Sequence, residues 1–353
     1  MSENILEILV DEENVSRTSY SIAEIWEKRN YLSGSANHVS HPDRFINIFR
    51  DDNTDGKLIY NTGFTSPAVE VRPSVKERET VHMLHNYFTH VTSVHDYEDL
   101  LKRYYAKLYA GGSDGLSTKA YDLLKEWSLS NYDKLVTDYT KVCEYGLCQA
   151  LTNVNGYVIP SKENQEPDKY NPNINHSSTS ATLSSFDTVD PSFKLLQDLV
   201  LLAQKDGYSP DVILVGDAIA SAIMNSSWYN THSRTAPVTN VFSFTPRESN
   251  NTIVARGAIE LVGIYAGGCK IIWINSQIEG ASAFKPNCAI ALDSSNFASI
   301  YSGPMYTNNG INNDIIRFTT APEKNEKEIR WMLEYCYLPV INHPDQVYRI
   351  YYS

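Results

Sequence analysis

One helical period runs from Ser117 to about Val154, and no other stretch of the chain restricts its fold as much. Apolar residues recur at Leu123, Leu124, Trp127, Leu135, Val142, Leu147 and Leu151, in steps close to three and four, the mark of one buried helical face. At ~1.5 Å of rise per residue, about 35 residues reach some 50 Å. Unless Gly146 breaks it, such a helix is a spine against which other elements must be laid.

The chain before the spine reads as two extensions. Residues 1–43 form an arm: Ser21–Asn30 has the spacing of one short amphipathic helix, with Ser21 as cap and Glu24 three residues on. The Ser-, Asn-, Gly- and His-rich stretch after it reads as irregular, and an arm of this kind must find its burial on another body or stay loose. Residues 44–95 read as a two-stranded ribbon with little core of its own. Phe45, Asn47 and Phe49 share one side and Ile46 and Ile48 the other. Asp55-Gly56 marks a hairpin turn, and residues 74–95 return through Val-, Thr-, Tyr- and Phe-rich chain. A helix then runs from Tyr97 to Gly111-Gly112.

Beyond the spine the chain alternates. Residues 160–181 are polar and loop-like. Pro191–Gly207 is a helix with Asp190 as its cap, Pro210–Gly216 a short buried strand, and Asp217–Asn225 a second helix with Asp217 as cap. Residues 251–300 are mostly strand. The aromatic tail from Glu328 is extended, with Pro339 and Pro344 suited to strand ends or a sheet edge.

Composition sets the outer bounds. At ~150 residues per domain, 353 residues suggest about two structural units. Thirty Lys and Arg against 42 Asp and Glu give a formal net charge of −12, which speaks against a reader of nucleic acid, since phosphate binding needs a supply of cations. With 42% hydrophobic and 20% charged residues, general disorder is excluded, and no stretch approaches the ~20 apolar residues of a bilayer span. The first residues lack the basic and apolar blocks of a secretory leader. Five scattered cysteines argue against a disulfide framework and for buried thiols in a reducing compartment. Cys143 and Cys148, five apart, do not share a helix face. The 24 tyrosines against 11 phenylalanines suit surfaces half buried against a partner, although a monomer can use them the same way.

Motifs that carry chemistry are scarce. Asp51-x-Asn53-x-Asp55-Gly56 opens like a Ca²⁺ loop, but its twelfth position is Thr62 instead of a bidentate Glu, and a solvated hairpin turn is the simpler reading. His82, His85, His90 and His95 crowd one segment, yet on extended chain His82 and His90 face one way and His85 and His95 the other. No cysteine or carboxylate joins them at a zinc spacing. The glycine runs at 111–115 and 265–269 lack the Lys-Ser/Thr of a phosphate loop and read as turns. Val215-Gly216-Asp217 sits where an α/β active site could open, but no GxSxG, HExxH or kinase signature accompanies it. The expectation is a protein with no catalytic residues, no cofactor and no metal.

Order, not any single motif, is specific here. A long helix ends in Glu144-Tyr-Gly-Leu-Cys-Gln149-Ala150-Leu151, followed by Ser185-Phe186-Asp187 and an amphipathic helix ending in DGYSP. Then come DVILVGDAIASAIMNSSWYN, RGAIELVGIYAGGCKIIWIN, AFKPNCAIALDSSNFASIYSGP and the closing LPVINHPDQVYRIYY. In sequence and character these resemble the lambda-like major capsid protein family of tailed bacteriophages, over roughly residues 118–353 and more loosely the ribbon before them. The loop 160–181 and the polar segment 302–328 depart from the family pattern.

The resemblance implies an α+β chain with the HK97 capsid fold. Residues 1–43 would be its N-terminal arm, 44–95 its E-loop ribbon, 96–155 a peripheral domain with the spine helix, 156–318 an axial α/β domain, and 319–353 a return to the peripheral domain. The implied function is a major capsid protein that assembles with itself, as hexamers and pentamers, into the icosahedral head of a phage or prophage. It would enclose DNA without reading its sequence, form in the host cytoplasm and end in the virion, with portal, scaffold or decoration proteins as further partners and no membrane. Trp26, Phe45, Phe49, Tyr60 and Phe64 are then the candidate intersubunit contacts, against the alternative of packing within their own chain. An encapsulin-like compartment shell and a cytosolic α/β enzyme are the rival readings. The acidic charge agrees with a vessel, because a wall that grips phosphate would hinder packing and ejection of DNA.

Overall fold

The computed structural model describes residues 30–51, 75–109, 116–158, 169–176, 182–183, 186, 191–227, 229, 251–255, 257–307, 310–312, 317–322 and 329–353. Among them the helices are α1 (Tyr31–Ser35), α2 (Val94–Tyr109), α3 (Leu116–Thr152), α4 (Pro191–Lys205) and α5 (Asp217–Met224). The strands of the first half are β1 (Asn37–Ser40), β2 (Phe45–Asp51), β3 (Val75–His82), β4 (Leu84–Val91), β5 (Tyr157–Val158), β6 (Lys169–Tyr170), β7 (Asn175–His176) and β8 (Val212–Val215). Next come β9 (Asn251–Ala255), β10 (Ala258–Ala266), β11 (Cys269–Ile274), β12 (Gln277–Ile278), β13 (Ala281–Ser282) and β14 (Cys288–Leu292). The chain closes with β15 (Ala298–Ser302), β16 (Met305–Thr307), β17 (Gly310–Asn312), β18 (Arg317–Pro322), β19 (Ile329–Ile341) and β20 (Tyr348–Tyr351).

Helix α3 runs its 37 residues straight through Gly146, about 55 Å at the standard rise. Gly146 marks a close approach and not a break: a Cβ there would lie 2.8 Å from Pro339 Cγ on β19. The face of α3 toward β19 is aromatic as well as aliphatic. Trp331 of β19 packs edge-on against Trp127 (5.2 Å between centroids) and Tyr132 (5.1 Å), and Tyr139 lies 4.4 Å from Tyr335. Tyr132, Tyr139, Tyr157, Tyr170, Tyr335, Tyr337 and Tyr352 are all buried, so much of the tyrosine that suggested partner surfaces is spent inside the chain. Buried phenols can pair with one another, as the Tyr157 and Tyr337 hydroxyls do at 3.2 Å.

Strand β19 organises a five-stranded sheet on the spine. It pairs with β4 along residues 330–337 and, on its opposite edge, with β18 over 329–334 and β15 over 337–341. Pro339 therefore sits inside a strand and not at its end. It is tolerated because β4 stops opposite Tyr337, and the amide two residues on, Ile341 N–H, turns to Tyr170 Oη (2.8 Å) instead of the ladder. The ribbon divides in the same region: Val75–His82 pairs with β2, whereas Leu84–Val91 enters this sheet. His95 lies in α2, whose start is set by Ser93. That hydroxyl receives Asp96 N–H (3.2 Å) and donates to Asp96 Oδ2 (2.8 Å).

The second sheet has seven strands in the order β7-β20-β14-β8-β11-β10-β9. Strand β8 is buried on both faces, as its unbroken Val-Ile-Leu-Val demands. Ile213, Val215, Ile271, Ala289 and Ile350 meet α4 and α5, while Val212, Leu214, Ile272, Ile290 and Leu292 join the core built on the spine. Gly267 and Gly268, both at positive φ, form the turn from β10 to β11, as the glycine run at 265–269 led one to expect. Strands do not divide at residue 318: β15 and β18 belong with β19 on the spine, whereas the last strand, β20, lies between β7 and β14 in the seven-stranded sheet. The long edge of β19 opposite β4 needs partners along its length, and β18 and β15 supply them end to end.

Residue 217 is also placed differently from the sequence reading. Gly216 is the N-cap of α5. The Asp217 carboxylate instead accepts hydrogen bonds from Trp273 Nε1 (2.6 Å) and Ser276 N (3.2 Å), tying the helix to the end of β11. The other capping expectations, Ser21 and Asp190, lie outside the described residues.

Candidate assembly surfaces

The described parts of the segments read as arm and ribbon, residues 30–43 and 44–51 with 75–91, join this body next to one another. The arm reaches it at α1, where Glu144 of the spine accepts Leu32 N–H (3.1 Å, Oε1) and Ser33 N–H (2.7 Å, Oε2). Those amides are first-turn groups with no partner inside their own helix, so a carboxylate is a fitting acceptor. Glu144 is buried. Burial raises its carboxyl above the usual range, and the bonds from Ser33 and Leu32 pull it part of the way back. Strand β1 then runs parallel to β15, His41 N–H reaches Ser302 O (2.7 Å), and Arg44 Nε–H reaches Pro304 O (3.1 Å).

The ribbon roots immediately afterwards. Ile46 and Val81, paired in register, are buried, Met83 N–H closes on Arg44 O (2.8 Å), and Thr80 donates to Asn47 Oδ1 (2.9 Å). Phe45 projects from this root, 39% exposed, with His82 beside it at 6.3 Å between ring centroids. Phe49 stands further along β2, opposite Arg78. Trp26, Tyr60 and Phe64, the calcium-like turn through Thr62 and its Asp55-Gly56 bend lie outside the described residues.

Other exposed apolar groups were not singled out by the sequence. Tyr87 and Val91 face solvent from β4, Tyr105 from α2, Leu201 and Leu202 from α4, and Tyr265 from β10. The signal for the α4 pair was present: Leu199-Val200-Leu201-Leu202-Ala203 is wider than one helical stripe, and Leu199, Val200 and Ala203 take the buried side. A cleft of about 420 Å³ between α2 and α3 is lined by Asp96, Asp99, Arg103, Glu126, Trp127 and Lys134 among others. Its interleaved charges favour neither an anion nor a cation.

Among the described residues no group of three His, Cys, Asp or Glu is placed to hold a metal. Of the crowded histidines, His85 bonds Glu334 (2.8 Å) and His90 lies 3.5 Å from Lys134. All five cysteines are buried and free, and burial pushes the Cys288 thiol up to about 12, away from the reactive thiolate. No helix among the described residues is long and apolar enough to cross a membrane.

No family model matches the chain, and no curated protein matches it. Solved structures do. A prophage protein of E. coli CFT073 assigned as its capsid protein superposes with a TM-score of 0.59 at 12% identity, covering 96% of this chain and 98% of that one. The satellite phage P4 procapsid that includes the size determination (Sid) protein gives 0.49 at 9% identity, over 95% and 98%. A virus-like particle from Pyrococcus furiosus gives 0.45 at 9%, over 96% and 98%; both scores fall below the level that carries an argument. The chain has the fold of the prophage capsid protein over nearly its whole length. Fold at this identity does not carry function with it, which rests on surfaces.

Proposed function

We propose that this chain is a major capsid protein, the shell-forming subunit of a tailed phage or prophage head. The observation that carries the reading is the near-complete structural match to a prophage protein assigned as a capsid protein. A second supports it: the described roots of the arm and the ribbon are fixed to the spine and to β15. Copies of the chain would form hexamers and pentamers, with the arm (1–43) and ribbon (44–95) lying across neighbours and Trp26, Phe45, Phe49, Tyr60 and Phe64 as contacts. No catalysis is involved; binding energy is concentrated in a few aromatic anchors, as in other interfaces. Assembly takes place in the host cytoplasm, a portal and scaffold or decoration proteins join the shell, and its acidic wall encloses DNA without gripping it.

Negative-stain microscopy of the purified, expressed protein tests this directly. Closed shells are expected. A protein that stays monomeric across concentration and salt refutes the reading, and shells that hold a cargo enzyme in place of nucleic acid, when isolated from the native source, replace it with a compartment shell.

A further inference from the structure

The spine grips the root of the arm through one ionisable group. The Glu144 carboxylate is buried and takes two amides of α1, Leu32 N–H at 3.1 Å and Ser33 N–H at 2.7 Å, with one oxygen each. We propose that this seat is proton-linked: residues 30–40 hold to the spine more tightly in mild acid than at neutral pH, with Glu144 as the group that takes up the proton.

The groups around the carboxylate define the case. On its own helix, Cys143 and Cys148 are its titratable neighbours, and both thiols are held neutral by burial. Lys141, the nearest cation along α3, is engaged by Glu279 and by Asp138 (3.3 Å). On the arm, Tyr31 faces Asp211 and Glu260, which add negative and not positive charge. His38 Nε2 lies 3.2 Å from Ser33 O, one residue's carbonyl away from the seat. A seated carboxylate is thus out of water, held by two amides and the Ser33 side chain, with no countercharge. When α1 lifts, the carboxylate regains water and its ordinary affinity for protons.

The sign follows from linkage. Burial raises the carboxyl in the seated form, so that form binds the proton more tightly than the open one and gains on acidification. The advantage is complete below the ordinary Glu value and is lost as pH rises through the raised one. Within that window the seating constant changes by up to about tenfold per pH unit. The seat belongs to the chain's own fold, so the inference stands or falls independently of shell formation.

Hydrogen exchange at the Leu32 and Ser33 amides, corrected for intrinsic rates and followed from about pH 4 to about pH 8 in one fixed assembly state, measures the seating constant. The expected result is opening that increases with pH and then levels off. Glu144→Gln, a neutral isostere, should abolish the slope, and His38→Asn should keep it. Opening that is flat or falls with pH in the unaltered protein overturns the proposal, as does a slope that survives Glu144→Gln or disappears in His38→Asn. If Glu144→Gln does not fold, carboxyl ¹³C titration of Glu144 in the unaltered protein decides: a midpoint at or below that of an ordinary Glu overturns it.

Discussion

Replacing Gly146 by alanine sets two effects of known size against each other. Helix propensity alone favours alanine over glycine by about 1 kcal/mol in a helix interior. The new methyl, however, would lie 2.8 Å from Pro339 Cγ, with Tyr157 Cε1 and Cζ at 3.5 Å. Carbon atoms rest at ~3.5–4.0 Å, so helix and strand must part by roughly 0.7–1.2 Å. Neither side yields easily. The proline ring has no rotamer to leave by, and its strand is fixed by β15 on one side and by Ile341 N–H to Tyr170 Oη on the other. Overpacking of this kind costs about 1–3 kcal/mol. With both groups fixed to backbone, the upper half of that range applies, and the net effect is a loss of about 1–2 kcal/mol.

Urea unfolding followed by tryptophan fluorescence reads this out, since Trp127 and Trp331 flank the helix–strand seam. The cycle Gly146→Ala, Pro339→Ala and the double variant isolates the clash. With the ring removed, the methyl has room, and Gly146→Ala should then stabilise by up to about 1 kcal/mol, a coupling of about 2–3 kcal/mol. If Gly146→Ala stabilises by about 1 kcal/mol with Pro339 intact, β19 does not seat on the spine at Gly146 and the packing argument is wrong.

Two further predictions concern the body of the fold. Arg349 of β20 reaches the C-terminal turn of the spine, giving Nη1–H bonds to Leu151 O (2.9 Å) and Asn153 O (3.4 Å). Arg349→Met removes a charge-assisted bond and a favourable charge at a helix end, and should cost about 2–4 kcal/mol; an unchanged urea midpoint would show that the spine does not depend on this cap. Burial raises the Cys269 and Cys336 thiols to about 11 and the Cys288 thiol and Tyr157 phenol to about 12. The native state then keeps protons that the unfolded chain releases from ~8.5 for thiols and ~10 for phenols. Stability should be fully present below about pH 8.5 and decline as pH rises toward 11–12, and a midpoint that is flat or rising between neutrality and about pH 10.5 contradicts it.

What was legible in the sequence was what periodicity writes. The spine shows because a 3.6-residue pattern over this length has few other meanings, and β8 shows because Val-Ile-Leu-Val is a short, β-branched apolar run bounded by Pro210 and Gly216. Periodicity says nothing of partners. Glu144 stood in plain view within the motif that carried the family resemblance, yet its acceptor role depends on Leu32, 112 positions away. Pro339 read as a strand end or a sheet edge, and the local rule for proline is sound. The structure takes the other half of that reading, the sheet edge: β4 stops at Leu84, leaving an open edge inside a long strand. Tyrosine was ambiguous for a related reason: a ring with a polar tip suits an interface and a core with partners equally well, and only the coordinates distinguish Tyr139 inside from Tyr87 outside.

The arm and the ribbon are joined more closely than their separate descriptions suggest. From Glu144 the chain passes through α1 into β1, which lies along β15 from Asn37 to Ser40. Backbone bonds at His41 and the Arg44 side chain carry it on to Ser302 and Pro304, and at Ile46 it is buried again as the ribbon's root. The whole strip follows one edge of β15, and β15 is itself fixed to β19 on the spine. Its two ends are held by burial and its middle by a parallel pairing at a sheet edge, the weaker kind per residue. Loosening the Glu144 seat therefore removes one clamp and leaves β1 as the next point to give. Any slack that passes β1 reaches the ribbon root, so a change in how the arm is seated and a change in how the ribbon projects are two readings of one strand's position.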